Sequence, residues 1–109
     1  MSYFYMPNNY IYALTDPRGY GFVYIGRAKN PKNRIHMHLR PKDGSRRAQW
    51  IKELLALGLE PVMTVLEEVS FDDIKAAEDK AIASCRAIHG VFCLNDNAGT
   101  HKYRQQVSA

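Results

Sequence analysis

The sequence predicts an α+β domain, a small and mainly antiparallel three-stranded sheet flanked by helices in the order ββααβα. Three observations carry this. Two runs rich in β-branched and aromatic residues, 10–15 and 22–27, flank a segment dense in turn formers, Asp16-Pro17-Arg18-Gly19-Tyr20-Gly21, which is a hairpin pattern. Two helix starts follow, before one further strand-like run. The last and longest helix carries an apolar stripe at helical spacing, and helices packed on a hairpin-built sheet make an α+β layer structure.

In the hairpin, side chains alternate between faces, so Tyr10, Tyr12 and Leu14 share one side of the first strand, as Phe22, Tyr24 and Gly26 do of the second. Asn30-Pro31 sets a capping residue before a proline at the first helical position, and the helix runs to about Arg40, where Pro41 ends it. Asp43-Gly44-Ser45 is a turn and cap. The second helix, 46–57, buries Trp50, Ile51, Leu54 and Leu55, and Gly58 closes it. Residues 61–69 read as the third strand. Ser70-Phe71-Asp72-Asp73 has the form of a capping box opening the longest helix, which His89-Gly90 ends after about Ile88. Residues 91–94 suit a short strand, Asn95-Asp96-Asn97-Ala98-Gly99 a loop, and 100–109 a polar tail. With no repeat, linker or low-complexity stretch, 1–109 reads as a single domain. At 109 residues roughly 65% of the unfolded surface can be buried, enough to fold without staples.

Cys85 and Cys93 have no metal-ligand spacing and are too few for a disulfide scaffold, so they read as reduced core thiols. No apolar run nears the ~18 residues of a membrane span, and the N-terminus lacks a signal-peptide plan. A soluble cytoplasmic protein is expected. The net charge of +4 is unevenly spread. Eight of the fifteen basic side chains, Arg27, Lys29, Lys32, Arg34, Arg40, Lys42, Arg46 and Arg47, fall within 27–47, opposed only by Asp43, whereas eight of the eleven acids lie within 53–79. Such a segment attracts polyanions through counterion release; a solvated charged face is the plainer alternative.

Glu78 breaks the pattern. Ile74, Ala77, Ala81, Ile82, Cys85 and Ile88 form one stripe of the last helix, and Glu78 falls inside it, while Asp79, Lys80 and Arg86 point to the surface. A core-facing carboxylate is costly unless paired or bound to a cation. It is either half of a buried Glu–Arg pair or a ligand to a hard metal ion whose octahedron water and substrate phosphate complete. Arg34 and His38, four apart, share a helix face. His36 and His38, two apart, face different ways and make no metal pair. Three of the seven tyrosines, Tyr10, Tyr12 and Tyr24, lie in the hairpin; packing accounts for most such residues, but a buried phenol needs a partner.

Tyr10-Ile11-Tyr12, then eleven residues, then Tyr24-Ile25-Gly26 resembles the two signature tripeptides of the GIY-YIG nucleases. Arg27 follows directly, Arg34 sits where the family carries its essential arginine, and His38 where relatives often have His or Tyr. Glu78 falls at the family's metal-ligating glutamate, and Asn95 resembles its asparagine before a glycine-containing loop. The likeness covers about residues 10–99 of 109. Tyr10 departs from it, replacing a glycine that carries no catalytic side chain. The resemblance implies hydrolysis of nucleic-acid phosphodiesters, DNA first, to 5′-phosphate and 3′-hydroxyl ends, with one Mg²⁺ or Mn²⁺ on Glu78. It implies catalytic roles for Tyr12, Tyr24, Arg27, Arg34, His38, Glu78 and Asn95: Tyr12 as base, Arg34 neutralising phosphate charge, Tyr24 hydrogen-bonding the phosphate or water, His38 relaying a proton, Asn95 bracing the site.

Lys29, Lys32, Arg40, Lys42, Arg46 and Arg47 would then track the nucleic-acid backbone. No base-reading module is visible, so weak intrinsic sequence specificity is expected, with targeting left to the domain alone, to self-association or to a protein partner. Relatives often carry a second domain, and none is expected within these 109 residues. Two other readings are a catalytically inactive nucleic-acid-binding module of the same fold and an interaction domain whose Glu78 is a structural ion pair.

Overall fold

The computed structural model describes residues 8–95. Strands β1 (Asn9–Thr15) and β2 (Val23–Ala28) precede helices α1 (Pro31–His38) and α2 (Arg46–Ala56), then strand β3 (Val62–Val69) and helix α3 (Ile74–His89). This is the expected ββααβα order, on an antiparallel sheet ordered β2-β1-β3. Turn chemistry makes the hairpin: Gly19 and Gly21 hold φ of +78° and +89°, where side chains are strained.

Because β1 is central, its consecutive residues Ile11, Tyr12, Ala13 and Leu14 are all buried. Alternation then separates two cores. Ile11, Ala13, Val23 and Ile25 pack on Ile74 and Cys85 of α3, while Tyr12, Leu14 and Ala28 pack with Trp50, Ile51 and Leu54 of α2, joined by Ile35 of α1. The sheet is sandwiched, α3 on one face, α1 and α2 on the other. Each fully buried aliphatic side chain such as Leu14, Ile51 or Leu54 contributes roughly 1.5–3 kcal/mol.

The helix starts follow their capping chemistry. The Asn30 side chain accepts from the Asn33 N–H, and the Ser45 hydroxyl from the Ala48 N–H, each at 3.1 Å. The indole of Trp50 donates to Asp16 Oδ2 at 2.8 Å, fastening α2 to the hairpin turn. Arg18 donates to the same carboxylate at 2.7 and 2.9 Å, and its hydrogen bonds, with that of Trp50, hold the Asp16 carboxyl down at about 2 against burial.

Several local expectations are corrected. α1 stops at His38, short of Arg40, and Leu39 caps it. The capping box at Ser70 does not form: its hydroxyl donates to the Asp73 carboxylate (3.0 Å), Phe71–Asp73 is a 3₁₀ turn, and α3 starts at Ile74. The strand expected at 91–94 shrinks to a parallel bridge between Cys93 and Val23 after a 3₁₀ turn at Gly90–Phe92. Ile88 is 75% exposed rather than in the stripe. Arg86, expected at the surface, is half-buried and donates to the Asn95 carbonyl at 3.1 Å. β3 exposes Val62, Val65 and Leu66, because it is an edge strand and α3 packs over β2 and β1 instead. Cys85 and Cys93 are free and buried, as expected. No helix among the described residues is long and apolar enough to cross a membrane. The expected loop beyond Asn95 and the tail 100–109 lie outside the described residues.

Candidate active site

Strand register builds the site. Tyr12 lies opposite Gly26, and Leu14 opposite Tyr24. The Tyr12 ring crosses the chain at Gly26: a Cβ there would overlap Oη and Cζ of Tyr12 and sit 2.9 Å from Cε2. Only a residue without Cβ lets the phenol reach over the outer strand.

His38, the last residue of α1, is buried, and its Nε2 lies 2.6 Å from Tyr12 Oη. Its ring stands edge-on to both tyrosines, with centroids 5.8 Å from Tyr12 and 5.5 Å from Tyr24. Arg34, one turn earlier on the same face, and Arg47 of α2 line a cavity of about 410 Å³ beside His38, together with Arg40, Lys42 and Asp43. The Arg47 guanidinium carbon sits 5.4 Å from the Tyr24 ring centroid.

These surroundings set the protonation states. Burial pushes the Tyr12 phenol well above its ordinary value, and Tyr24 adds to this, while Arg34 and Arg47 pull it back and Glu78 pushes up. Burial, then the charges of Arg47 and Arg34, bring the His38 imidazole down to about 4. Near neutral pH the phenol keeps its proton and the imidazole is neutral, so Tyr12 Oη–H is the natural donor and Nε2 the acceptor.

Glu78 arrives from elsewhere. It projects from α3, the helix on the opposite sheet face, and pairs with Arg27 of β2 at 3.6 Å, Nε to Oε1. That is too long for a hydrogen bond, and the Arg27 side chain is about half exposed. The charge of Glu78 still bears on the Tyr12 phenol. The carboxylate and the phenol thus approach β2 from its two faces.

Asn95 clips β2. Its Oδ1 accepts from the Ile25 N–H at 2.8 Å and its Nδ2 donates to the Ile25 carbonyl at 2.7 Å, between Tyr24 and Gly26. Arg46 donates to the Val91 and Cys93 carbonyls, bracing this segment from α2 while Arg86 braces it from α3. Lys29 and Lys32 are exposed and lie outside the cavity. The sequence named Arg47 as one basic residue among several and Asp43 as the acid opposing them, without pairing the two, which lie 3.5 Å apart. The i, i+4 spacing of opposite charges was the signal for that pair.

The family model for the GIY-YIG catalytic domain matches residues 8–83. The chain belongs to the GIY-YIG family. Membership makes it a nuclease-family domain with nucleic acid as its substrate class. The match spans both tyrosines, Arg27, Arg34, His38 and Glu78, and stops before Asn95. No curated protein and no solved structure matches the chain.

GIY-YIG nucleases are metal-dependent in general, and the donor set decides what ion this chain suits. Among the described residues no group of three His, Cys, Asp or Glu side chains could hold an ion. Glu78 is a single, partly exposed carboxylate with a loose cationic neighbour. That fits a hard divalent ion that keeps its waters and takes phosphate oxygens, and does not fit an all-protein cage.

Proposed function

We propose that this chain is a metal-dependent endonuclease that hydrolyses DNA phosphodiesters to 5′-phosphate and 3′-hydroxyl ends, with low intrinsic sequence specificity. The observation that carries the reading is the 2.6 Å contact between Tyr12 Oη and His38 Nε2, set in the field of Arg34 and Arg47, with His38 lining a cationic cavity.

A phosphate in that cavity brings negative charge beside His38. This offsets the two arginines that depress the imidazole, so substrate makes His38 a better acceptor. The attacking water gives its proton to Tyr12 Oη as Tyr12 passes its own to His38 Nε2, leaving a neutral phenol and an imidazolium. Oxygen of the water bonds to phosphorus, the bond to the 3′-oxygen breaks, and the departing oxygen takes a proton from solvent to become the 3′-hydroxyl, while the imidazolium returns its proton to solvent. Arg34 neutralises charge on the non-bridging oxygens, and Tyr24, edge-on to His38, hydrogen-bonds the phosphate or the water. Glu78 would hold the divalent ion, which supplies Lewis-acid stabilisation to the departing oxygen. Arg27 keeps Glu78 at the strand, and Asn95 holds β2 straight behind both tyrosines.

Arg40 and Lys42, on the cavity rim, and Lys29 and Lys32, outside it, serve as backbone contacts. Arg46 gives one donor each to the Val91 and Cys93 carbonyls and, still exposed, keeps others for a backbone contact. Targeting falls to the domain alone, a protein partner or self-association.

The test is nicking of supercoiled plasmid. Cutting is expected with Mg²⁺ or Mn²⁺ and not in EDTA. Cutting that persists in EDTA refutes the metal role, and DNA binding without cutting under any divalent ion leaves an inactive binding module.

A further inference from the structure

Arg47 has surroundings that backbone tracking does not explain. It lies in the first turn of α2, its side chain is only 24% exposed, and its Nε is buried without a hydrogen-bond partner among the described residues. An unpaired donor under cover costs about 1–3 kcal/mol, so its placement makes sense if an acceptor arrives with the substrate. Asp43 does not fill that role. It touches Nη2 at 3.5 Å from a side chain that is 62% exposed, leaving Nε free. The face of Tyr24 backs the guanidinium, which fixes its plane. Arg47 shares the cavity with Arg34 and His38, and its charge bears on both Tyr12 and His38.

We propose that Arg47 is a second arginine of the reaction: with Arg34 it donates to the non-bridging oxygens of the scissile phosphate and stabilises the charge they gain as water attacks. The planar fork of Nε and a neighbouring Nη matches two phosphate oxygens. Arg47 forms and breaks no covalent bond, and the proton path through Tyr12 and His38 is unchanged. The inference rests on the nuclease reading and adds a residue to it.

Two measurements decide it. In plasmid nicking, Arg47→Gln is expected to lower kcat about 100-fold and Arg47→Lys about tenfold, with KM moving by less than about threefold, the signature of an interaction made in the transition state. A raised KM with kcat intact overturns the proposal and returns Arg47 to backbone tracking. Where Arg47→Gln loses its cooperative thermal transition, Arg47→Lys carries this arm. Independently of turnover, the arginine Nε–Hε resonances of the ¹⁵N-labelled wild-type chain are followed as inorganic phosphate is added. Arg34 and Arg47 are expected to shift together, and an Arg47 resonance that stays still overturns the proposal. A wild type that cuts nothing defeats the nuclease reading by itself, and the phosphate titration still decides whether Arg47 meets a phosphate.

Discussion

Gly26 shows how one missing methyl positions a buried phenol, that of Tyr12. Its Cα lies under the Tyr12 ring, so Gly26→Ala forces the phenol off its path to His38. Overpacking of this kind costs roughly 1–3 kcal/mol, and nicking should fall with it. A double-mutant cycle checks the cause: in a Tyr12→Ala background the Gly26→Ala cost should largely vanish, and an equal cost in both backgrounds would mean that Tyr12 is not what the methyl meets. Glu78 is the opposite case, a side chain whose charge matters more than its bulk. Its contact with Arg27 is long and partly exposed, the kind of pair worth about 0–1 kcal/mol. Glu78→Gln should therefore leave the denaturation midpoint nearly unchanged and DNA binding intact while abolishing cutting; a large stability loss would instead mark a structural ion pair. Both residues were legible in the sequence, Gly26 as a signature glycine and Glu78 as a carboxylate on an apolar stripe. What Gly26 avoids was not, because strand pairing brings Tyr12 over it from another part of the chain.

At the level of elements, the segment after α3 behaves as a clip on the outer strand. Leu94 N–H donates to the Val23 carbonyl at 2.8 Å, and the Asn95 amide pairs with both polar groups of Ile25. The side chain does what a neighbouring strand would do for the edge of β2. Asn95→Ala leaves a buried N–H and a buried C=O unpaired, at about 1–3 kcal/mol each. Asn95→Asp keeps the acceptor for the N–H but sets a buried carboxylate oxygen against the Ile25 carbonyl, so its urea midpoint near neutral pH should also lie clearly below wild type. Equal midpoints for all three would show that the clip carries no stability. Sequence periodicity had suggested a strand at 91–94, and the apolar, β-branched content was real. The competing fact is that β2 has room beside it for a short parallel contact only, before the chain turns its asparagine inward. The same limit explains the missing capping box at Ser70: a hydroxyl can bond to a carboxylate three residues on as readily as to a backbone N–H, and spacing does not choose between them.

For the whole molecule, element order could be read from the chain, because caps, turn residues and periodicity are local. Sidedness could not. Periodicity says that Tyr12 and Glu78 each face a core, without saying that the cores lie on opposite faces of one sheet, and only the packing puts the two side chains on either side of β2. Burying His38 against that sheet also ties the fold's stability to pH. The folded imidazole titrates at about 4, against an ordinary 6.5, because burial and then Arg47 and Arg34 oppose its charge. In the unfolded chain it takes a proton below about 6.5. Between those values the unfolded state binds a proton that the folded state refuses, so stability is fully present above 6.5 and declines as pH falls toward 4. Asp16 contributes in a separate window, losing its share only below its ordinary 3.8, as pH falls through about 2. Urea midpoints measured from pH 7 to pH 4.5 should therefore drop for the wild type. In His38→Gln, which can still accept from Tyr12 but does not titrate, they should stay nearly level across the same range. Parallel declines in the two proteins would assign the acid sensitivity to other groups and leave the buried, neutral state of His38 without support.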